Sequence, residues 1–179
     1  MDLLYTAQNL KFYLDKTFSI KHLIPIQRYV QWKLENDKWD DYNEFYHATN
    51  FMEIIKSCNE IWLDSHLLSR NDKITGVLFI IGGEISKLEK INSCKEEMGS
   101  LLLKYFHIEE KGHGYGSLWL KSVIIPYYKE KGYNQIYVGS SHVESFPFYS
   151  RLGTKISEYE KLSDNNLNKR IGNRFLIKF

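Results

Sequence analysis

The spacing of apolar residues changes along the chain, and each change marks a different kind of element. Residues 1 to about 58 read as helical. Ile26, Tyr29, Val30, Lys33 and Leu34 share one face at three-and-four spacing, with Pro25 suited to the first turn. A second helix is predicted after Asn50, with Glu53 three positions later as in a capping box and Phe51, Ile54, Ile55 and Cys58 as its apolar face. From Glu60 the pattern turns to alternation. Ile61 and Leu63, the polar turn Arg70-Asn71-Asp72-Lys73 and the β-branched run Ile74–Ile81 read as a hairpin closing at Gly82-Gly83. Leu101–Ile108 is a further strand. Helical spacing returns with Leu118, Trp119, Leu120, Val123, Ile124, Tyr127 and Tyr128, ends at Gly132, and should be kinked or shortened by Pro126. Gln135–Val138 reads as a strand, Ser145–Leu152 as a short helix closed by Gly153, and Thr154–Tyr159 and Arg174–Phe179 as late strands. This order implies a mixed α/β (α+β) layer fold around a central sheet.

Composition narrows the class. A chain of 179 residues with 43% apolar residues can bury one sizeable core, so a single domain over 1–179 is expected. Net charge +2, from 24 basic and 22 acidic residues, is too balanced for nucleic acid or an anionic membrane as the main partner. Cys58 and Cys94 form no C-x-x-C pair, and the purest apolar stretch, about Val77–Ile81, is far shorter than the roughly 20 residues of a membrane helix. With no basic-then-apolar leader after Met1, the expected location is the cytoplasm.

The most informative segment is Lys111-Gly112-His113-Gly114-Tyr115-Gly116-Ser117, between a strand and a helix. Its glycines remove the Cβ atoms that would hold a ligand away from the backbone. Its amides lie where a helix begins, unpaired and reinforced by the helix dipole, so a pyrophosphate is the natural guest. The segment is not a Walker A loop, and the dinucleotide pattern fails because Ser117 stands at its third glycine.

With the following strand and the helix Ser145-Phe146-Pro147-Phe148-Tyr149-Ser150-Arg151-Leu152-Gly153, the segment resembles the Gcn5-related N-acetyltransferase (GNAT) superfamily over about residues 60–160. Lys111-x-x-Gly114-x-Gly116 stands for that family's pyrophosphate-binding pattern, with Lys111 in place of Arg or Gln. Ile108 stands where Pro is common, His142 where Asn often contacts the cofactor, and Thr154 where Phe is common, as in a divergent member. The resemblance implies a twisted, mostly antiparallel sheet of about six or seven strands with helices on both faces. The strands flanking the glycine loop should be parallel and splay apart, a bulge being one way to free their backbone groups. It also implies acetyl-CoA as cofactor and direct acetyl transfer to a primary amine of a small molecule or peptide in a ternary complex.

Cofactor contacts are then expected from Phe106, His107 and Ile108, where a backbone amide polarises the thioester carbonyl. Further contacts are expected from Lys111, Gly112, His113, Gly114, Tyr115, Gly116 and Ser117, and from His142, Tyr149 and Arg151. Tyr149 matches the family's general acid, since a phenol keeps its proton at neutral pH; a core tyrosine is the alternative. Arg151 meets a cofactor phosphate or a surface carboxylate. No base is identified. Ser100 and Leu102 occupy the family's positions, Lys104 is a cation, His107 is close, and Glu84 is within conceivable reach. Alternatives that stay open are a CoA-binding module without turnover and a transferase for a longer acyl or an aminoacyl donor. The late strands offer an edge for a homodimer.

Residues 35–53 carry Glu35, Asp37, Asp40, Asp41, Glu44 and Glu53 against Lys38, net −5, and Trp32, Trp39, Tyr42, Phe45, Tyr46 and His47 are interleaved. As part of the helical acceptor-side segment, this reads either as a wall for a cationic amine (a polyamine, an aminoglycoside or a lysine side chain) or as a solvated face over aromatic core. His22, His47 and His66 have no metal-ligand spacing, and Cys58 reads as core rather than as an acyl-carrying nucleophile.

Overall fold

Alternate residues of the N-terminal segment Leu10, Phe12 and Leu14 are buried while their neighbours are half-exposed, which is the period of a strand and not of a helix. In the structure, a computed structural model that describes residues 1–88 and 99–179, the chain opens with a β-hairpin. Strand β1 (Asp2–Ala7) turns at Gln8-Asn9 into β2 (Leu10–Asp15), with Gln8 at φ 54°. This corrects the all-helical reading of residues 1–58. Cys94 lies outside the described residues.

Two helices follow. α1 (Ile24–Glu35) starts with Pro25 in its first turn, and α2 (Glu44–Lys56) is capped by Asn43, whose side chain accepts from the Tyr46 amide at 3.0 Å. Asn50 is therefore mid-helix, not a cap, and Glu53 pairs with Lys56 instead of closing a capping box. On α1 the expected face holds for Ile26 and Val30. Lys33 is buried and Leu34 is exposed, for a reason the site makes clear.

β3 (Ile61–Arg70) and β4 (Lys73–Gly83) form the expected hairpin, with Asn71 and Asp72 both at positive φ. β5 (Ser100–Ile108) then pairs with β4. The crossover runs through α3 (Tyr115–Trp119), a π-helical turn (Leu120–Ile124) and α4 (Ile125–Glu130) to β6 (Gln135–Ser140), which pairs parallel to β5. The π turn, in which the Ile125 amide reaches Leu120 O, stands directly ahead of Pro126, so the proline widens the helix instead of ending it. α5 (Phe146–Ser150) leads into β7 (Thr154–Leu162) and β8 (Lys169–Lys178). Among the described residues the sheet has eight strands in the order β1-β2-β3-β4-β5-β6-β8-β7, more than expected because of the N-terminal hairpin, and only β5–β6 is parallel.

Helices cover both faces. One core joins Leu78, Ile80, Leu101 and Leu103 to Trp119, Ile124, Tyr128 and Tyr149; the other joins Val77, Phe79 and Ile81 to Ile26, Phe51 and Met52. Inside the first core Tyr128 donates to Asp64 (2.7 Å) and accepts from His66 (2.8 Å). Burial pushes the His66 imidazole down to about 3, so it stays neutral. Among the described residues no helix is long and apolar enough to cross a membrane.

Candidate functional site

The parallel ladder between β5 and β6 stops early. Its last pair is Leu103 with Val138, yet β5 runs on to Ile108 and β6 to Ser140, so the two strands part beyond that point. On its other side β5 carries a bulge: Phe79 registers with Lys104 and Val77 with His107, and Tyr105 takes φ 52°. The extra residue twists the strand and sends neighbouring side chains to opposite faces. Phe106 packs on Trp119 (5.7 Å) and Phe148 (5.9 Å), whereas Tyr105 packs on Phe51 (5.7 Å) and His107 on Tyr29 of α1 (4.9 Å). A wedge thus opens between β5 and β6, and both expected features, splay and bulge, are present.

The glycine turn sits at the mouth of this wedge. Gly114 is at φ 77° as the residue before α3, and a Cβ there would meet nothing within 4 Å. The conformation, not crowding, requires glycine, and the space beside it is open to a ligand. Gly116 is different: a Cβ would stand 3.3 Å from Phe148 and 3.4 Å from Phe106, so α3, α5 and the β5 bulge close on one another there. The first intrahelical bond of α3 runs from Leu118 N to Gly114 O, leaving the amides of Tyr115, Gly116 and Ser117 ahead of it. Lys111 and His113 are exposed beside these donors. Lys111 Nζ lies 4.7 Å from the Tyr29 ring centroid, and His113 stacks on Tyr115 at 5.5 Å. Two carboxylates precede the turn, and either would repel an anion. Glu109 is answered by Arg28 at 2.8 Å and Glu110 by Arg70. The residues present therefore fit a pyrophosphate: open donors, the exposed Lys111 ammonium and neutralised acids.

Tyr149 is buried on α5 between Phe148 (5.1 Å) and Phe175 (5.5 Å), and burial raises its hydroxyl well above the ordinary phenol range, so it is protonated at neutral pH. Arg151 is exposed just beyond α5. His142 follows β6, held by a tight turn in which its amide donates to Ser140 Oγ (3.2 Å) and its carbonyl accepts from Ser145 Oγ (2.7 Å). Glu84, considered as a base from sequence, pairs with Lys87 at the opposite end of the sheet. β4 meets the site at Gly76, which registers with Ile108, not at Gly83.

On the α1–α2 side of the wedge lies a charge cluster that sequence reasoning did not assemble. Lys33 is 1% exposed and its ammonium donates to Asp40 Oδ1 (2.6 Å), Tyr42 O (2.7 Å) and Glu44 Oε1 (2.9 Å). Arg170 of β8 takes the other Asp40 oxygen at 3.0 Å, and His142 Nε2 stands 3.6 Å from Glu44 Oε1. Burial raises the Glu44 carboxyl, with Lys33 opposing it. Asp40, Glu44 and His142 present their ligand atoms within 4.8 Å of one another, but an ammonium and a guanidinium already supply the positive charge a metal would bring. The inner carboxylates of the acidic stretch, Asp40 and Glu44, are answered by Lys33 and Arg170. The one sequence signal was a lysine on the apolar face of α1. A clasp flanks the cluster, in which Asp164 accepts from Asn43 N (2.8 Å) and meets His47 Nε2 (2.6 Å), and Asn165 N donates to Asp41 (2.8 Å).

No family model matches the chain, and no curated protein matches it in sequence. Solved structures do. A probable acetyltransferase from Staphylococcus epidermidis superposes with TM-score 0.62 at 11% identity, covering 94% of this chain and 98% of that one. A GNAT-family acetyltransferase from Elizabethkingia anophelis with acetyl-CoA bound gives 0.57 at 13%, covering 97% and 100%. An acetyltransferase from Salmonella typhimurium that modifies the N-terminal serine of ribosomal protein L7/L12 gives 0.60 at 14%, covering 99% of each chain. This chain carries the fold those proteins share.

Proposed function

We propose that this chain is a divergent GNAT acyltransferase that binds acetyl-CoA and transfers the acetyl group to a primary amine by direct attack. The observation that carries the reading is the coincidence of the β5–β6 wedge with an open, cation-bearing glycine turn at a helix start. Acetyl-CoA supplies an activated thioester. The amides of Tyr115, Gly116 and Ser117, with Lys111 and His113, hold its pyrophosphate. Arg28 and Arg70 keep Glu109 and Glu110 from repelling it. The freed lip of β5 over Phe106–Ile108 offers backbone donors to the acyl carbonyl, a contribution of about 3 kcal/mol to the barrier for one such donor. Tyr149 holds a proton for the departing sulfur.

The acceptor enters from the α1–α2 side, past Tyr29, Trp32 and Trp39. Calorimetry with acetyl-CoA and thiol-release assays against spermidine, an aminoglycoside, a lysyl peptide and a peptide with a free N-terminal serine test the reading. Binding with turnover of at least one amine is expected. Absence of acetyl-CoA binding would overturn it, and binding without turnover of any amine would reduce the chain to a cofactor-binding module.

A further inference from the structure

Deprotonation of the attacking amine is the one chemical task left without a residue, and the wedge offers few groups for it. Lys104 is cationic. Among the described residues His107 has no carboxylate against it: its ring lies on Tyr29, and the charged or ionisable groups that influence it are Lys111 and His142. An imidazolium there would be unsupported. His142 differs in each respect. Its backbone is fixed on the free lip of β6 by the Ser140–Ser145 turn, where Ser145 N also donates to its carbonyl at 2.9 Å. Its Nε2 faces Glu44 Oε1 at 3.6 Å, and Glu44 is locked by both Lys33 contacts, 2.9 Å to Oε1 and 2.7 Å to Oε2.

Exposure runs outward through this cluster. The Lys33 side chain is 2% exposed, Glu44 9%, Arg170 16%, Asp40 37% and His142 40%. Asp40 has both oxygens engaged, by Lys33 and Arg170. His142 is thus the most exposed member of the cluster, and its Nδ1 has no hydrogen-bond partner among the described residues.

Resting on the acetyltransferase reading, we infer that His142 is the group that takes the proton from the attacking amine, with Glu44 as the positioning residue behind it. One N–H bond of the ammonium breaks and its proton moves to His142. The freed lone pair forms the N–C bond to the acetyl carbon. The C–S bond breaks, the sulfur leaves with the proton that Tyr149 holds, and the new amide nitrogen gives up its second proton, by way of water, to restore the phenol. Glu44 faces the new imidazolium and offsets its charge.

The groups around His142 are Glu44 from α2, Asp40 and Tyr42 from the α1–α2 connection, Lys33 from α1, Lys111 from the glycine turn, His107 from β5 and Arg170 from β8. Burial first, then Arg170, with Lys33 and Lys111 adding and Asp40 opposing, holds its imidazole down to about 4. It is therefore neutral throughout the neutral range and weakly basic, so the proton it accepts must pass on to water as the N–C bond forms.

The test uses the full chain with acetyl-CoA and 2-methoxyethylamine as the probe amine, and compares wild type with His142→Gln and Glu44→Gln from pH 6 upward. Expected for His142→Gln is a kcat/KM about 10²-fold below wild type near neutrality. That gap should close about tenfold per pH unit and be gone by roughly pH 9, as the amine sheds its proton unaided. Glu44→Gln should change the profile in the same direction by less. Because His142 also stands at an expected cofactor contact, acetyl-CoA affinity by calorimetry should fall in His142→Gln by far less than kcat/KM does. A loss that is constant with pH, or a matching loss of acetyl-CoA affinity, would overturn the assignment. Wild type that binds acetyl-CoA but gives no transfer above the uncatalysed rate would overturn it too while leaving the cofactor site standing. Wild type that binds no acetyl-CoA would overturn the acetyltransferase reading itself.

Discussion

Replacing Lys33 by Met is the most exposing single change to the acceptor side. Methionine keeps the aliphatic stem that packs in α1 and removes the ammonium. Three acceptors then lose a donor: Asp40 Oδ1, Tyr42 O and Glu44, at 2.6, 2.7 and 2.9 Å. Asp40 keeps Arg170, and its side chain is 37% exposed, so water can reach it. Glu44, 9% exposed, loses its ammonium while the His142 beside it is neutral, so it becomes a buried carboxylate without a counter-charge among the described residues. Removing one member of a buried pair costs about 3–5 kcal/mol. For a chain of this length that lowers Tm by roughly 6–20 °C.

The deficit also has a sign in pH. Burial already raises the Glu44 carboxyl above its ordinary range, and loss of Lys33 removes the main opposing influence. A raised acid destabilises the folded state where it must ionise, above its unfolded pKa, and costs nothing once both states hold the proton. Urea unfolding of wild type and Lys33→Met at neutral pH and at progressively lower pH should therefore show a gap that narrows on acidification. The double variant with Glu44→Gln should recover part of it. A neutral-pH gap under about 1 kcal/mol, or one that stays constant or widens on acidification, would refute the reasoning.

Gly114→Val forces a β-branched residue to φ 77° in open space, so acetyl-CoA binding by calorimetry should fall at least about tenfold while the circular dichroism spectrum is kept. Gly116→Val should also lower Tm, because its Cβ meets Phe148 and Phe106. Tyr149→Phe keeps the ring between Phe148 and Phe175, so kcat in the thiol-release assay should drop, about 10²-fold for loss of a general acid, with acetyl-CoA affinity within a factor of about two. His66 is neutral when folded but protonates when unfolded, so it contributes stability at neutral pH that is lost from about 6.5 down toward 3, at about 1.4 kcal/mol per pH unit. Wild type should lose urea resistance between pH 7 and 5 more steeply than His66→Gln.

Elements with an unmixed signal could be read directly from the sequence. The β3–β4 hairpin declared itself by a β-branched run and a polar turn. The glycine turn marked the crossover, and with it the parallel β5–β6 pair and its splay. The N-terminal hairpin was hidden because β1 is exposed on both faces and its turn, Gln8-Asn9, lacks glycine. The start of α2 was misplaced because Asn43 and Asn50 are equivalent caps by local sequence, and contacts with Asp164 favour the first. At the proposed site, Tyr149 and the glycine turn could be singled out because the patterns that point to them are local in sequence. The Lys33 cluster could not, since it joins α1, α2, the segment after β6 and β8. A count of charges over residues 35–53 leaves out both cations that answer them.

The widened turn ahead of Pro126 inserts a residue into the crossover helix, and each residue rotates a helix by about 100°. Tyr128 meets Asp64 and His66 only with that rotation included. Deleting one residue among Leu120–Ile124 would thus yield a more regular helix whose tyrosine faces elsewhere, leaving an acid and an imidazole stranded in hydrocarbon. Regularity in this stretch is an enemy of the fold: the irregular turn sets the phase between the half of the helix that begins at the glycines and the half that seals the core.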